Sequence, residues 1–396
     1  MSVSGVETRQ SRCWQQDSRG QQGSRGRADR AQRHRRGTLE CVLLMGCLLI
    51  ALGCGAPPSY LFQAAGGQLD LFRRARPIPE AIADARTPES IRLLLREVPK
   101  VKAFAIANGL EVNSNYDDYV ALNRPYVVWF VNASDPLGFY PLAFWFPVVG
   151  TFPGLGWFDE TEAREHAAKL ARDGWDVSVR GVRAFSTGGW FSDPIVSSMF
   201  TDSENAFGYL VNVILHESLH ATILVADQQF YNESLASFVG DQMTLRYLAQ
   251  RFGEASEEMR IYRERELLNE QAEQLVSDRY DELEALYASN KSVYEKLMRK
   301  QQIMRELFVR VGFEDLPTNA TLLGTRLYDV GQAEFKDLLE RCDHDWERFI
   351  GVTGSVSKGQ FGMPQEEDFT PIVRRMSARE CKPFEAPRKT RYRLGR

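Results

Sequence analysis

The chain has 396 residues, 43% of them hydrophobic and 26% charged, which describes a globular protein with ample core and room for one large domain or two ordinary ones. Its formal net charge is −4, but residues 1–40 hold nine arginines against four acidic residues, so the rest carries about −9. A net acidic body argues against nucleic acid as a partner. The arginine-rich start has the composition of a disordered segment and suits targeting.

An apolar run at residues 42–52 follows this basic leader and ends at Gly53 and Cys54. The run is too short for a membrane span, which needs ~20 residues, and it is typical of the apolar part of a secretory signal. Residues 51–54 resemble a bacterial lipobox, although Ala51 and Leu52 stand where a leucine and a small residue are usual. We therefore expect a lipoprotein of the bacterial cell envelope, attached to the outer membrane through lipidated Cys54 and facing the periplasm. The alternative is an uncleaved anchor or a buried helix.

After the leader, helical and extended patterns alternate. Apolar residues recur at helical spacing in three early segments, 60–72, 90–108 (bent at Pro99) and 161–173. Aromatic and β-branched runs bounded by turn residues predict three strands, at 126–131, 144–149 and 176–182. The glycines of loop 184–194 would let its backbone approach a substrate, or the loop is an aromatic-lined connection. Together these patterns predict an α+β fold that is mostly helical, with a small antiparallel sheet.

Residues 211–242 carry the motif around which the chain is organised. His216, Glu217 and His220 form an HExxH pattern, and Glu233 follows thirteen residues after His220. Residues four apart lie about 40° apart around a helix, so both imidazoles can turn to one metal ion. Apolar residues at helical spacing flank the pattern and predict a buried side for this helix.

This set of residue types is typical of a catalytic zinc site. Zinc prefers imidazole and carboxylate ligands, and a catalytic zinc leaves its fourth position to water. We expect one Zn²⁺ per chain, held by His216, His220 and Glu233, which lowers the pKa of the water towards ~7. Glu217 would take a proton from that water and pass it to the leaving amine. The alternative is a chance match on an amphipathic helix with two ordinary core histidines.

The remaining sequence predicts helices to which we assign no chemistry. Residues 254–312 are dense in charge and are interrupted at 288–292, which predicts an antiparallel helical hairpin. From Gly351 proline and glycine interrupt the sequence, so we expect a flexible tail at 351–396 after a main domain at 54–350 and a leader at 1–53. Cys342 and Cys381 are the cysteines left once the leader is removed and Cys54 is lipidated, and their pairing stays open.

The chain resembles the bacterial family of predicted aminopeptidases, which are membrane-associated proteins with a zincin-type HExxH site. The resemblance spans about residues 60–349 and rests on the HExxH pattern together with segments 63–68, 146–150, 185–194 and 230–236. The chain departs from the family at Phe185, where Tyr is usual, and at Gly188, where a larger residue is usual. The NExxA box around Glu233 is similar to that of gluzincin peptidases, in which the Glu of the box is the third metal ligand. The spacing between HExxH and this Glu is usually longer in gluzincins than the thirteen residues here, so a short turn must connect the two helices.

The resemblance implies a zincin-like core, with the small sheet packed on the HExxH helix, and a metallopeptidase that acts on a peptide or protein. The sequence does not decide between an aminopeptidase and an endopeptidase. For a second donor to the oxyanion our candidate is Tyr328, with Tyr231 after it, because a phenol can donate to a developing alkoxide. Asp241 could orient a ligand imidazole.

A second function stays open, that of a non-catalytic envelope protein that keeps the zincin scaffold for binding. The intact Glu217 favours the peptidase, because a purely structural metal site does not need this residue.

Overall fold

A computed structural model describes residues 56–112, 114–146, 150–184, 192–200, 204–376 and 381. The predictions made for the leader at 1–53, for lipidated Cys54 and for loop positions 185–191 lie outside these residues. No helix in the described ranges is both long enough and apolar enough to cross a membrane.

Helices dominate the described chain, as the sequence predicted. In chain order they are α1 (Pro58–Arg74), α2 (Ile78–Ala83), α3 (Glu89–Ala107), α4 (Glu160–Arg172), α5 (Ala206–Thr222), α6 (Gln229–Phe252), α7 (Glu257–Ala288), α8 (Val293–Leu307), α9 (Asn319–Asp329), α10 (Gln332–Arg341), α11 (Trp346–Gly354) and α12 (Thr370–Arg375). The strands are β1 (Arg76–Pro77), β2 (Asp118–Val120), β3 (Val128–Ser134), β4 (Phe144–Phe146), β5 (Gly150–Phe152), β6 (Gly154–Trp157), β7 (Asp176–Val182) and β8 (Ile195–Val196). This organisation is an α+β fold with small sheets.

The central sheet is antiparallel, with strand order β6-β3-β7. Its register sets Phe130 of β3 opposite Gly156 of β6 and Arg180 of β7, so these three positions share one face. Helix α4 packs on the sheet, where its His166 ring contacts Trp157 on the opposite face. Helix α9 packs on the face of Phe130 and also on α6.

We expected this sheet to pack on the HExxH helix, and the structure differs. The principal helical neighbours of the sheet are α4 and α9, whereas α5 packs on α6 and α3. Helix α9 is anchored to the sheet by Asn132, whose Nδ2 donates to the Ala320 carbonyl at 2.7 Å. Because α9 contacts both the sheet and α6, it joins the sheet to the α5–α6 pair.

Helix α5 lies in the core because one side of it is apolar. Residues spaced by three and four along it are at most 1% exposed, namely Val211, Ile214, Leu215 and Leu219. Complete burial of each such side chain contributes about 1.5–3 kcal/mol to folding. The spacing predicted this buried side, and the contacts with α3 and α6 provide its partners.

The charge-rich hairpin consists of α7 and α8, as predicted. The connection between them ends at Ser292, which begins α8 by a reciprocal capping box with Glu295. Apolar residues on the inner sides of the two helices, Leu283 of α7 and Ile303 of α8, are fully buried. The hairpin is therefore part of the main core.

The tail differs from the flexible segment that we expected from Gly351. Helix α11 continues to Gly354, and α12 packs on α10. Phe369, Ile372 and Val373 are buried, so apolar contacts order this segment as far as Met376. Beyond it, Cys381 forms a disulfide with Cys342, which settles the pairing left open by the sequence.

Carboxyl groups from three helices influence one another between α6, α7 and α9, namely Asp241, Glu266, Glu273 and Asp329. Burial raises the pKa of Glu273 to about 7 and that of Glu266 to about 8, and the neighbouring acids add to both shifts. The folded chain therefore binds more protons here than the unfolded chain does, at every pH between the ordinary pKa of a glutamate, about 4.3, and these raised values.

Stability should fall as the pH rises through this window, because these side chains must ionise in a buried place. We expect Glu273→Gln to raise the melting temperature at pH 8 and to leave it nearly unchanged at about pH 3, where the glutamate is almost entirely protonated in both states. Thermal unfolding followed by circular dichroism at the two pH values measures this. Glu284→Gln, at an exposed position of the same helix, is the control. Equal effects of the two variants at pH 8 would contradict the prediction.

Candidate metal centre

The two histidines of the HExxH pattern lie one turn apart on α5 and face the same point. Their Nε2 atoms are 3.2 Å apart. Glu233 reaches this point from α6, and its Oε2 lies 3.5 Å from the Nε2 of His216 and 3.5 Å from that of His220. Within the described ranges, these are the side chains whose donor atoms lie close enough together to share a metal ion. The structure thus brings together the three residues that the sequence predicted as ligands.

The distances fit one tetrahedral ion. Zinc bonds of 2.0–2.2 Å to nitrogen or oxygen place two ligand atoms of a tetrahedron about 3.3–3.6 Å apart. The side chains of His216, His220 and Glu233 are only 16%, 10% and 20% exposed, so the site is recessed. This donor set suits zinc, which takes imidazole and carboxylate ligands.

Close packing of α5 and α6 positions the third residue. At Gly240 of α6 an added Cβ would lie only 3.3 Å from the Cβ of His216, so a glycine allows the two helices to approach. The connection between the helices is the short segment 223–228. Asn232 holds it by accepting from the Val225 amide and donating to the Val225 carbonyl, both at 2.9 Å. The short turn predicted from the thirteen-residue spacing is therefore present, and it sets Glu233 opposite the histidines.

His220 and Glu233 stabilise each other's charged forms. Burial by itself would lower the pKa of His220, but the Glu233 carboxylate outweighs it and raises this pKa to about 9. Burial by itself would raise the pKa of Glu233, but the two imidazoles outweigh it and hold this pKa well below its usual range. A carboxylate that stays ionised in a buried place is what a cation site requires.

Glu217 is a half-buried residue of α5 next to His216, and its charge acts on His220 and on Tyr328. Its Oε2 is buried and has no hydrogen-bond partner among the described residues. Buried polar atoms are nearly always paired, so an unpaired carboxylate oxygen points to a partner such as water or a ligand. Two tyrosines that the sequence had not indicated, buried Tyr116 and half-buried Tyr209, also lie within the electrostatic influence of Glu217.

Tyr328 reaches the cluster from α9, and its ring centroid lies 6.4 Å from that of His216. Burial and Glu233 raise the pKa of Tyr328, while Arg180 opposes them, so the phenol stays protonated at neutral pH. The Nη2 of Arg180 donates to the Tyr328 hydroxyl oxygen at 3.4 Å. The sequence had indicated Tyr328 but not Arg180. Side chains alternate between the two faces of a strand, so the sequence of β7 already places Arg180 on the same sheet face as Ser178 and Val182. This alternation is the signal from which Arg180 could have been proposed.

Two other candidates make no hydrogen bond to the ligands within the described ranges, although the charge of His216 acts on Asp241. Tyr231 precedes Glu233 by two residues and lies about 200° from it around α6, so it points away. Its hydroxyl donates to the Thr353 carbonyl at 2.9 Å. The Asp241 carboxylate accepts from Asn212 Nδ2 at 2.7 Å and from the Tyr262 hydroxyl at 3.4 Å. No hydrogen bond joins Asp241 to a ligand imidazole in the part of the chain that the structure describes.

A family model described as "Putative aminopeptidase" matches residues 59–360, which is most of the chain and includes all of this site. The chain belongs to this family. The resemblance inferred from the motifs is thereby confirmed, and the family's description names a peptidase activity. Searches of the curated proteins and of the solved structures found no match.

Loss of one ligand should empty the site. We expect the wild-type chain to bind about one zinc ion and His216→Ala to bind none, because two remaining ligands do not hold zinc against dilution and washing. Elemental analysis after gel filtration measures the zinc content of each chain. His344→Ala, at an exposed histidine, is the control and should keep its zinc. Full zinc content in His216→Ala would refute the ligand assignment.

Proposed function

We propose that this member of the aminopeptidase family is a zinc peptidase that uses Glu217 as its general base. The observation that carries the proposal is the convergence of His216, His220 and Glu233 within 3.5 Å, beside a buried carboxylate oxygen of Glu217 that has no partner among the described residues. A metal site that served only structure would not need Glu217. We propose His216, His220 and Glu233 as the ligands of the zinc.

Each side chain then has a defined task. When bound, zinc supplies a Lewis acid that lowers the pKa of water and polarises a peptide carbonyl. Glu217 accepts the proton that the attacking water loses, and it returns this proton to the nitrogen of the leaving amine. The buried Oε2 of Glu217, which has no partner among the described residues, is the atom that would accept this proton.

Tyr328 and Arg180 form the second donor group. The Tyr328 phenol is neutral at pH 7, since burial raises its pKa above the ordinary phenol value, and it can donate to an oxygen that gains negative charge. Arg180 holds the phenol by a hydrogen bond at 3.4 Å and adds positive charge at the same place. Donors placed in advance at the position where charge develops are among the largest contributions to catalysis.

The Glu217→Gln variant tests the general base. Because the amide has nearly the same shape and cannot accept the proton, we expect full zinc content and a loss of peptide hydrolysis of about 10²–10⁴-fold. Hydrolysis of a mixed peptide library, followed by mass spectrometry, measures the activity and also shows whether cleavage starts at the amino terminus. If wild type and variant both bind zinc and neither cleaves peptides, the non-catalytic binding scaffold becomes the better explanation.

The Tyr328→Phe variant tests the second donor. Removal of the hydroxyl should lower kcat by about 10²–10³-fold with little change in KM, because the donation is made chiefly in the transition state. Tyr231→Phe is the matched control, since it removes a buried hydroxyl that donates to Thr353, away from the ligands. Equal kcat values for Tyr328→Phe and wild type would exclude this role.

The lipid anchor at Cys54 and the envelope location facing the periplasm stay predictions from the sequence. The same holds for the choice between amino-terminal and internal cleavage.

A further inference from the structure

A cavity of about 470 Å³ opens directly beside Glu233 and Tyr328. This volume is in the range of protein sites for small molecules, about 300–1,000 Å³. Its walls come from α1, from the sheet face of Phe130, from the β4–β5 hairpin and from α9. One end of the cavity is thus formed by a residue that we propose as a metal ligand.

The walls of this cavity are mainly apolar, and aromatic rings form one side of it. Tyr60 of α1, Phe146 of β4 and Phe152 of β5 follow one another along one side, with ring centroids 6.3 Å apart for the first pair and 6.1 Å for the second. Phe130 and Phe158 complete the aromatic lining. Apart from Phe158, these rings are only half-buried, so they keep apolar surface open to the cavity. A ligand that covers this surface removes it from water, which is favourable.

The sheet leaves the cavity open at Gly156. Strand alternation puts Gly156 on the cavity face, opposite Phe130. A Cβ added at Gly156 would meet nothing closer than Val128 at 3.7 Å, which is ordinary contact. The next cavity-facing position of β6, Gly154, is different, because an added Cβ there would lie 2.6 Å from the Phe130 ring. The space at Gly156 is therefore free for a side chain from outside.

The cavity carries little charge. Among the described lining residues, the charged ones are Arg180 and Glu233. Arg180 contacts Tyr328 and also lies over the Phe130 ring, 5.4 Å from its centroid, whereas Glu233 faces the two histidines. The side formed by Tyr60, Phe146 and Phe152 has no charged residue among the described lining residues, so a charged side chain placed there would be desolvated without an ion partner.

From this geometry we propose that the cavity binds the side chain of a substrate residue next to the cleaved bond, and that it selects large apolar side chains, above all aromatic ones. The inference rests on the proposed peptidase function, since it takes the reaction to occur at Glu233 and its neighbours. Gly156 and the rings of Tyr60, Phe146 and Phe152 determine the selectivity.

The test uses the full chain and alanine tetrapeptides that carry one Phe or one Glu at each position in turn. We expect kcat/KM to be at least about tenfold higher when Phe adjoins the cleaved bond than when Ala does, and lowest for Glu. Gly156→Leu should lower the ratio of kcat/KM for the Phe peptide to kcat/KM for the Ala peptide by about tenfold, because the new side chain occupies the free space. Ala64→Leu, which narrows the cavity from α1, should act in the same direction. Gly66→Leu has open space around its Cβ and should keep the wild-type ratio.

Calorimetry separates this proposal from the peptidase function. In the Glu217→Gln background, binding of the Phe peptides should be at least about tenfold tighter than that of the all-alanine peptide, and Gly156→Leu should abolish the difference. If this holds while wild type cleaves nothing, the cavity assignment stands and the peptidase function fails. The cavity assignment is overturned if wild type cleaves all peptides equally well. It is also overturned if Gly156→Leu and Gly66→Leu have the same ratio of kcat/KM for Phe peptides to kcat/KM for Ala peptides. Equal binding of all peptides would overturn it too.

Discussion

The close contact between α5 and α6 is the constraint on which the site depends. Two histidines on one helix supply only half of a tetrahedral set, and the third residue must come from another element at a distance of about 3.5 Å. Gly240 allows the second helix to approach, and Asn232 holds the turn that reverses the chain. Helices α3 and α6 bury the apolar side of α5. The free energy gained by this burial offsets the cost of placing three polar side chains in a recessed site.

The second half of the site depends on α9. This helix packs both on α6 and on the central sheet, so it brings Tyr328 to the histidines and keeps it in contact with Arg180 of β7. The same sheet face forms one wall of the aromatic cavity. The proposed metal site, the Tyr328–Arg180 pair and the aromatic cavity are thus adjacent because one helix connects the sheet to the α5–α6 pair.

Buried acids in this protein are of two kinds. Glu233 lies against two imidazoles, which hold its pKa down and keep it ionised. Glu266 and Glu273 lie among other carboxyl groups, and burial together with these neighbours raises their pKa values to about 8 and about 7. Burial raises the pKa of all three acids, and it is at Glu233 that neighbouring imidazoles outweigh it. Only an acid of the first kind is ready to hold a cation at neutral pH.

The sequence by itself determined what depends on local spacing. The HExxH pattern put His216 and His220 on one helical face, and the NExxA box indicated Glu233, because residues four apart on a helix are neighbours in any fold. Helical periodicity also predicted the charge-rich hairpin and the buried side of α5. The tertiary structure alone decided the long-range contacts. It joined Arg180 to Tyr328 across 148 residues and turned Tyr231 away from the ligands.

The sheet and the tail show the same division. The strands at 126–131 and 176–182 were recognisable from their residues, yet α9 packs on their sheet where α5 was expected. Phe369, Ile372 and Val373 follow a stretch rich in turn residues, so their short helix was not visible until α10 provided its partner. Periodicity shows which side of an element is apolar. Which partner covers that side depends on how the whole set of apolar surfaces packs together, and that is a property of the folded chain.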